Sequence, residues 1–330
     1  MNVQRWLTPG LAAASLIAVF AACLIGSTPL PAGRVLAAFF GGGEIGDHLV
    51  VWSIRLPRAL AAFLVGAALG LSGAALQGLL RNPLAEPGVL GVSASASLAA
   101  TFSLYYGFAA MSPWLLPIAA ILGALGATAL LAFAAIVTRS VVTLILIGVG
   151  LSSFAGAAMS LLMNLAPNPF SLSDMVNWML GSVTNRSFDE IVLTLPFMVA
   201  GGAILLATRR GLSALTLGEE AASGVGLNLR RQRIFTVLGA GLATGASVAL
   251  AGAIGFVGIV APHLIRPLVG YDPARSLIPS ALLAGLFLVI ADIGVRVLPT
   301  DSELKLGVVA ALIGAPAFVW IAIQRRGAHD

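Results

Sequence analysis

Residues 87–138 read PGVLGVSASASLAATFSLYYGFAAMSPWLLPIAAILGALGATALLAFAAIVT and contain no charged side chain. A soluble domain carries about 25% charged residues, so such a run has no place on a water-facing surface. One membrane-crossing helix needs about 20 apolar residues. The stretch therefore holds more than one span, or a span and a loop at membrane depth. Working outward, residues 140–173 are also free of charge. Over all 330 residues, 59% are hydrophobic and 9% charged. This composition excludes a soluble enzyme and predicts an all-α, polytopic membrane protein.

Apolar runs between turn signals give about ten segments, near residues 10–28, 56–80, 88–107, 114–137, 141–163, 190–208, 232–252, 256–269, 276–297 and 306–323. The eighth is short and holds Pro262, which predicts a half-helix or re-entrant piece. Ala21-Ala22-Cys23 faintly resembles a lipoprotein cleavage site, but Phe20 fits it poorly and the first run reads as an uncleaved span. An even count puts both termini on one side. With that side cytoplasmic, 12 of the 18 bases lie inside: Arg5, Arg81, Arg139, Arg209, Arg210, Arg230, Arg231, Arg233, Arg266, Arg275, Arg325 and Arg326. Outer loops collect acids instead, namely Glu44, Asp47, Asp174, Asp189, Glu190, Asp301 and Glu303. The net charge of +5 is spread between apolar segments, the pattern of topology anchors and not of a nucleic-acid surface.

Gly66, Gly70, Ala74 and Gly78 recur every four residues, as do Gly241 and Gly245. Small faces let helices approach closely in lipid, so these positions predict packing and not a ligand site. Several chemistries are excluded by absence. The only lysine, Lys305, is followed by Leu306, so there is no P-loop to hold ATP phosphates. His48, His263 and His329 form no His-Glu-x-x-His motif. The one cysteine, Cys23, allows no intrachain disulfide. Asp292 is the only acid inside an expected span.

Three polar stretches stand out. Arg55-Leu56-Pro57-Arg58, with Arg296, sets three guanidinium groups at the outer face, against the positive-inside trend. They suit docking of an acidic partner, while Asp292 and Arg296, four apart on a helix, suit a local ion pair. Arg81-Asn82-Pro83-Leu84-Ala85-Glu86-Pro87 reads as an ordered inner turn. Residues 209–233 form a charged inner stretch containing Glu219-Glu220-Ala221-Ala222-Ser223-Gly224-Val225-Gly226-Leu227. Its short helix carries an apolar stripe of Leu215, Ala222, Val225 and Leu229, with a turn at Gly224 or Gly226.

Glu220-Ala221-Ala222 followed by Gly226 resembles the coupling loop of bacterial ABC importer permeases. Gly73-x-x-x-Gln77, Arg81-Asn82-Pro83-Leu84-Ala85, Gly88-x-x-Gly91, Trp178-x-x-Gly181-Ser182, Phe256-Val257-Gly258-x-x-x-Pro262-His263-x-x-Arg266, Ala291-Asp292 and Gly314-Ala315-Pro316-x-Phe318 follow Arg55–Arg58 in order. Together they resemble the FecCD-type permeases that import iron chelates, haem or vitamin B12, over nearly the whole chain. Asp301-Ser302-Glu303 departs from that pattern, in which proline precedes the glutamate.

The resemblance implies a type II ABC importer permease fold of about ten helices, a single domain over residues 1–330 with a coupling loop at about 209–231. It implies a second permease copy (a homodimer), two ATP-binding cassette subunits and a periplasmic substrate-binding protein. The setting is the bacterial inner membrane. ATP and Mg are used by the ATPase, and no cofactor is bound by this chain. Arg55, Arg58 and Arg296 match arginines that meet glutamates of the binding protein. Glu219, Glu220, Ala221, Ala222, Gly224, Gly226 and Leu227 match the ATPase-coupling element. Asn82 and Leu84 match a gate turn. Val141 and Val142 stand at a further gate position that is polar in the vitamin B12 permease. The implied cargo is a bulky iron chelate, a ferric siderophore or haem, with a corrinoid as alternative. The alternative from another class is a self-contained secondary transporter or channel.

Overall fold

A computed structural model describes residues 3–26, 29–138, 140–298 and 303–324, with no β-strand among them. Arg139, Asp301, Ser302, Arg325, Arg326 and His329 lie outside the described residues. Each of the ten expected segments is helical: α1 (Val3–Leu24), α2 (Leu56–Leu80), α3 (Val92–Tyr105), α4 (Leu115–Val137), α5 (Val141–Asn164), α6 (Phe188–Ala207), α7 (Leu229–Ala251), α8 (Val257–Ile265), α9 (Pro273–Val297) and α10 (Leu306–Gln324). Among the described residues, seven helices are long and apolar enough to cross a membrane. The expected half-helix is α8, with nine residues.

The second helix begins earlier than its apolar run. An α-turn at Ile45–His48 and a π-helical stretch at Leu49–Arg55 run directly into α2. Pro57 has no N–H for the carbonyl four residues back, and its ring crowds that carbonyl. Wider π turns absorb such a defect. Short helices at Ala32–Phe39 and Pro169–Met179 also occupy segments read as loops. The first is tied down by Arg34, whose Nε donates to Asp47 Oδ2 at 2.8 Å and whose Nη2 donates to Glu44 Oε2 at 2.7 Å. The second is capped by Asn168, whose side chain accepts the Ser171 amide at 2.9 Å.

Packing follows the small-residue rows. A Cβ at Gly66 would lie 2.4 Å from the Ala284 carbonyl oxygen, and one at Gly70 would lie 2.5 Å from that of Ser280, so α2 and α9 touch backbone to backbone. Gly241 and Gly245 of α7 accept Thr128 and Ala124 of α4 in the same way. One buried cluster joins α2, α3, α4 and α7 around Leu76, Leu131 and Val248. A second joins α1, α2, α8 and α9 around Val65, Ala261 and Leu288. In contrast, α5 is little buried and presents Val142, Leu146, Val149 and Phe154 outward.

Candidate functional site

At the end of the bundle where α2 starts and α9 stops, Arg55, Arg58 and Arg296 converge with Asp292 and Glu303. Arg58 is held through Nε (2.9 Å) and Nη2 (2.7 Å) to Asp292 Oδ1, and Nη2 also pairs with Glu303. Arg296 pairs with the other carboxylate oxygen of Asp292 and donates to the Ala22 carbonyl at 2.8 Å. Arg55 donates to the Cys23 and Leu24 carbonyls at 2.9 and 3.0 Å. These carbonyls close the C-terminal turn of α1, which has no intrahelical donors left for them. Arg55 and Arg58 are 3% and 9% exposed. The three arginines expected at an outward docking face thus lie together at one end of the bundle, with their side chains turned into it. The local Asp292–Arg296 pair is present. Glu303 is the half-exposed member, and Thr184 Oγ1 donates to it at 3.3 Å.

At the opposite end, α6 passes into a helical turn at Arg209–Ala214, a 3₁₀ turn at Leu215–Leu217 and a short helix at Glu219–Gly224. Leu212, Leu215 and Ala222 are buried in the main cluster, with Leu227 and Leu229 packed against them. Val225 is not part of this stripe, because it is 71% exposed. The helix ends before it in a Schellman closure. The Leu227 amide donates to Ala222 O at 3.0 Å and the Gly226 amide to Ser223 O at 2.9 Å. Gly226 takes the left-handed turn at φ 90°, which resolves the two turn positions expected and swings Leu227 inward in place of Val225. Glu219 is clamped by Arg233, whose Nη2 lies 2.8 Å from both carboxylate oxygens. Glu220, Ala221, Ser223 and Gly224 are exposed.

The turn after α2 lies at this same end, where Gly78 packs against Leu212 and Pro273. Arg81 ends the helix in the left-handed region at φ 49°, and Asn82 Oδ1 accepts the Leu84 amide at 2.9 Å. Leu84 is exposed. The turn then climbs back into the bundle as a 3₁₀ segment, Pro87–Leu90. It rests on the middle of α5, where Ser152 Oγ donates to Gly88 O at 3.2 Å. Contact there is made at Gly148 and Ser152. Val141 and Val142 sit at the start of α5, capped by Ser140.

Glu86, outside the expected gate residues, is the acid the sequence reading missed. Its carboxylate accepts the Phe256 amide, and burial pushes its pKa above the usual carboxylate range. Phe256 itself stands in the left-handed region at φ 66° and starts α8. A Cβ at Gly73 would lie 1.9 Å from the Gly258 carbonyl oxygen, and Gln77 Nε2 reaches that oxygen at 3.4 Å. The turn, α2 and the half-helix therefore meet around a cavity of about 100 Å³ lined by Glu86, Ser93, Ala253 and Gly258. The available sequence signal was the proline on either side of the Leu84-Ala85-Glu86 tripeptide, which bends this acid back toward the bundle.

Known proteins carry this architecture. The model of the FecCD transport family matches residues 14–324. The chain is 40% identical over 319 residues to the uncharacterized ABC transporter permease protein YvrB of Bacillus subtilis, covering 92% of this chain and 90% of that one. It is 37% identical over 325 residues to the vitamin B12 import system permease protein BtuC of Klebsiella pneumoniae, covering 98% and 95%. A solved inward-facing structure of a metal-chelate type ABC transporter superposes with a TM-score of 0.86 at 30% identity, covering 96% and 98%. A whole-length helical bundle with this ordered set of residues and these relatives leads to one conclusion: the chain belongs to the FecCD transport family and is an integral-membrane permease of an ABC importer.

Proposed function

We propose that this permease moves a bulky metal chelate, an iron siderophore or haem, from a periplasmic binding protein into the cytoplasm. It works as a homodimer with two ATPase subunits, in the bacterial inner membrane with both termini inside. The carrying observation is the Glu219–Gly224 helix. Its buried face is anchored by Leu215 and Ala222, and its other face offers Glu220 and Val225 to a partner. An element rigidly joined to α6 and α7 transmits the movement of whatever grips it. Closing of two ATPases on ATP then shifts those helices, and through them the turn at Asn82–Leu84 and the half-helix α8.

Cargo size is supported by the metal-chelate type neighbour. Val141 and Val142 at the start of α5 support a pathway that holds its cargo weakly. A corrinoid is the second reading, favoured by the vitamin B12 relatives. Docking of the binding protein is assigned to Arg55, Arg58 and Arg296, with Glu303 yielding its place on Arg58 to a partner carboxylate. Mass spectrometry of the ligand carried by the cognate binding protein tests the cargo. A siderophore or haem is the expected ligand, and a corrinoid in its place overturns the first reading in favour of the second.

A further inference from the structure

On the proposed orientation, with both termini in the cytoplasm, a second site lies at the inner end of α1, away from the coupling helix and the gate turn. The start of α1, the start of α9 and the beginning of the coupling stretch enclose an open cavity of about 660 Å³. Three guanidinium groups line it: Arg5, Arg209 and Arg275. Leu7, Val269 and Ile278 add apolar lining. The one carboxylate present, Asp272, is already engaged. It accepts the Ala274 amide at 2.9 Å and the Ser213 hydroxyl at 2.5 Å, and it pairs with Arg275 at 3.3 Å. Arg5 and Arg209 are exposed, and their side chains make no hydrogen bond or ion pair among the described residues.

We infer that this cavity is a binding site for the headgroup of an anionic phospholipid of the inner leaflet. The membrane geometry selects that occupant. Little of α1 is buried, so the helix faces lipid along its length, and the cavity opens at its inner end, where headgroups lie. Trp6, 68% exposed, stands beside Arg5 at the level where indole rings settle in a bilayer interface. A lining that mixes guanidinium groups with apolar side chains matches a phosphate joined to acyl chains, and basic pockets between spans on the cytoplasmic side are a recurrent means of holding such lipids. Guanidinium groups bind phosphate oxygens bidentately. The lipid would bridge α1 to the first turn of the coupling stretch through Arg5 and Arg209.

The test titrates the detergent-solubilised full chain with phosphatidylglycerol, with phosphatidylcholine of the same chains, and with inorganic phosphate. Bound lipid is counted by native mass spectrometry. Each arginine at an anionic surface is worth about a fivefold change in binding, so R5Q/R209Q weakens phosphatidylglycerol about 25-fold and R209Q alone about fivefold. Arg230→Gln, an exposed charge elsewhere on the same side, changes nothing. Phosphatidylcholine binding does not respond to any of these substitutions. Wild-type phosphatidylglycerol binding by both R209Q and the double variant overturns the proposal. Displacement of the lipid by inorganic phosphate alone reassigns the cavity to a free anion. Loss of ATPase binding in the double variant with lipid retention reassigns it to a protein contact.

Discussion

Asp292 holds together the end of the bundle where α2 starts, because a single carboxylate serves both Arg58 and Arg296. Removing one partner of a buried ion pair strands the other charge and costs about 3–5 kcal/mol. D292A therefore lowers the denaturation midpoint of the detergent-solubilised protein by that order, even with no binding protein present. Unchanged stability would mean that Arg58 and Arg296 face outward and serve docking alone. The same geometry makes charge reversal of Arg58 a poor docking test, since it also breaks the cluster.

Gly73 is the second residue with an outsized role. A methyl there overlaps the Gly258 carbonyl, a backbone atom that has no rotamer to escape through. G73A destabilises by about 1–3 kcal/mol or more and impairs transport. G126A, at a position with nothing within 4 Å of a built Cβ, leaves the midpoint within about 0.5 kcal/mol of wild type. Equal midpoints for the two variants would refute close approach of α2 and α8.

At the scale of elements, the coupling segment separates two adjacent glutamates by role. Glu219 is spent on Arg233, within the fold. Glu220 is exposed and is offered to a partner. E220R thus leaves the midpoint unchanged but abolishes co-purification with the ATPase or uncouples ATP hydrolysis from uptake. E219A instead lowers stability by up to about 1 kcal/mol, the range of a partly exposed pair, and leaves ATPase assembly in place. ATP-driven transport at wild-type rate in E220R would refute the coupling role. This contrast was not legible in the sequence. Periodicity alone put Val225 with Leu215 and Ala222, whereas the left-handed turn at Gly226 ends the helix and exchanges Val225 for Leu227. The π-helical entry into α2 was hidden for a similar reason. Pro57 signals a helix start just as well as it signals a defect inside a longer helix.

For the whole molecule, the proposed division of labour leaves ATP hydrolysis to a separate ATPase chain. Reconstituted with its ATPase and binding protein, the permease is expected to accumulate cargo only with ATP and Mg. Accumulation by the permease alone would return the secondary transporter or channel reading. The little-buried α5 carries an apolar face, including Val149, that the proposed second copy covers. V149D is therefore expected to shift the assembled complex toward a single permease by light scattering. A full-size complex would place the second copy elsewhere.

The sequence by itself determined the membrane setting, the ten helical segments, the glycine faces that pack and the family, because these depend on composition, period and local turn chemistry. The tertiary structure alone decided where the few charges point. Arg58 is far in the chain from Asp292 and Glu303, as Glu86 is from Phe256. In a medium where an unpaired charge is costly, side chains turn toward whichever partner the fold brings within reach. Residue spacing records the local Asp292–Arg296 pair, four apart on one helix, but not the partners drawn from distant segments.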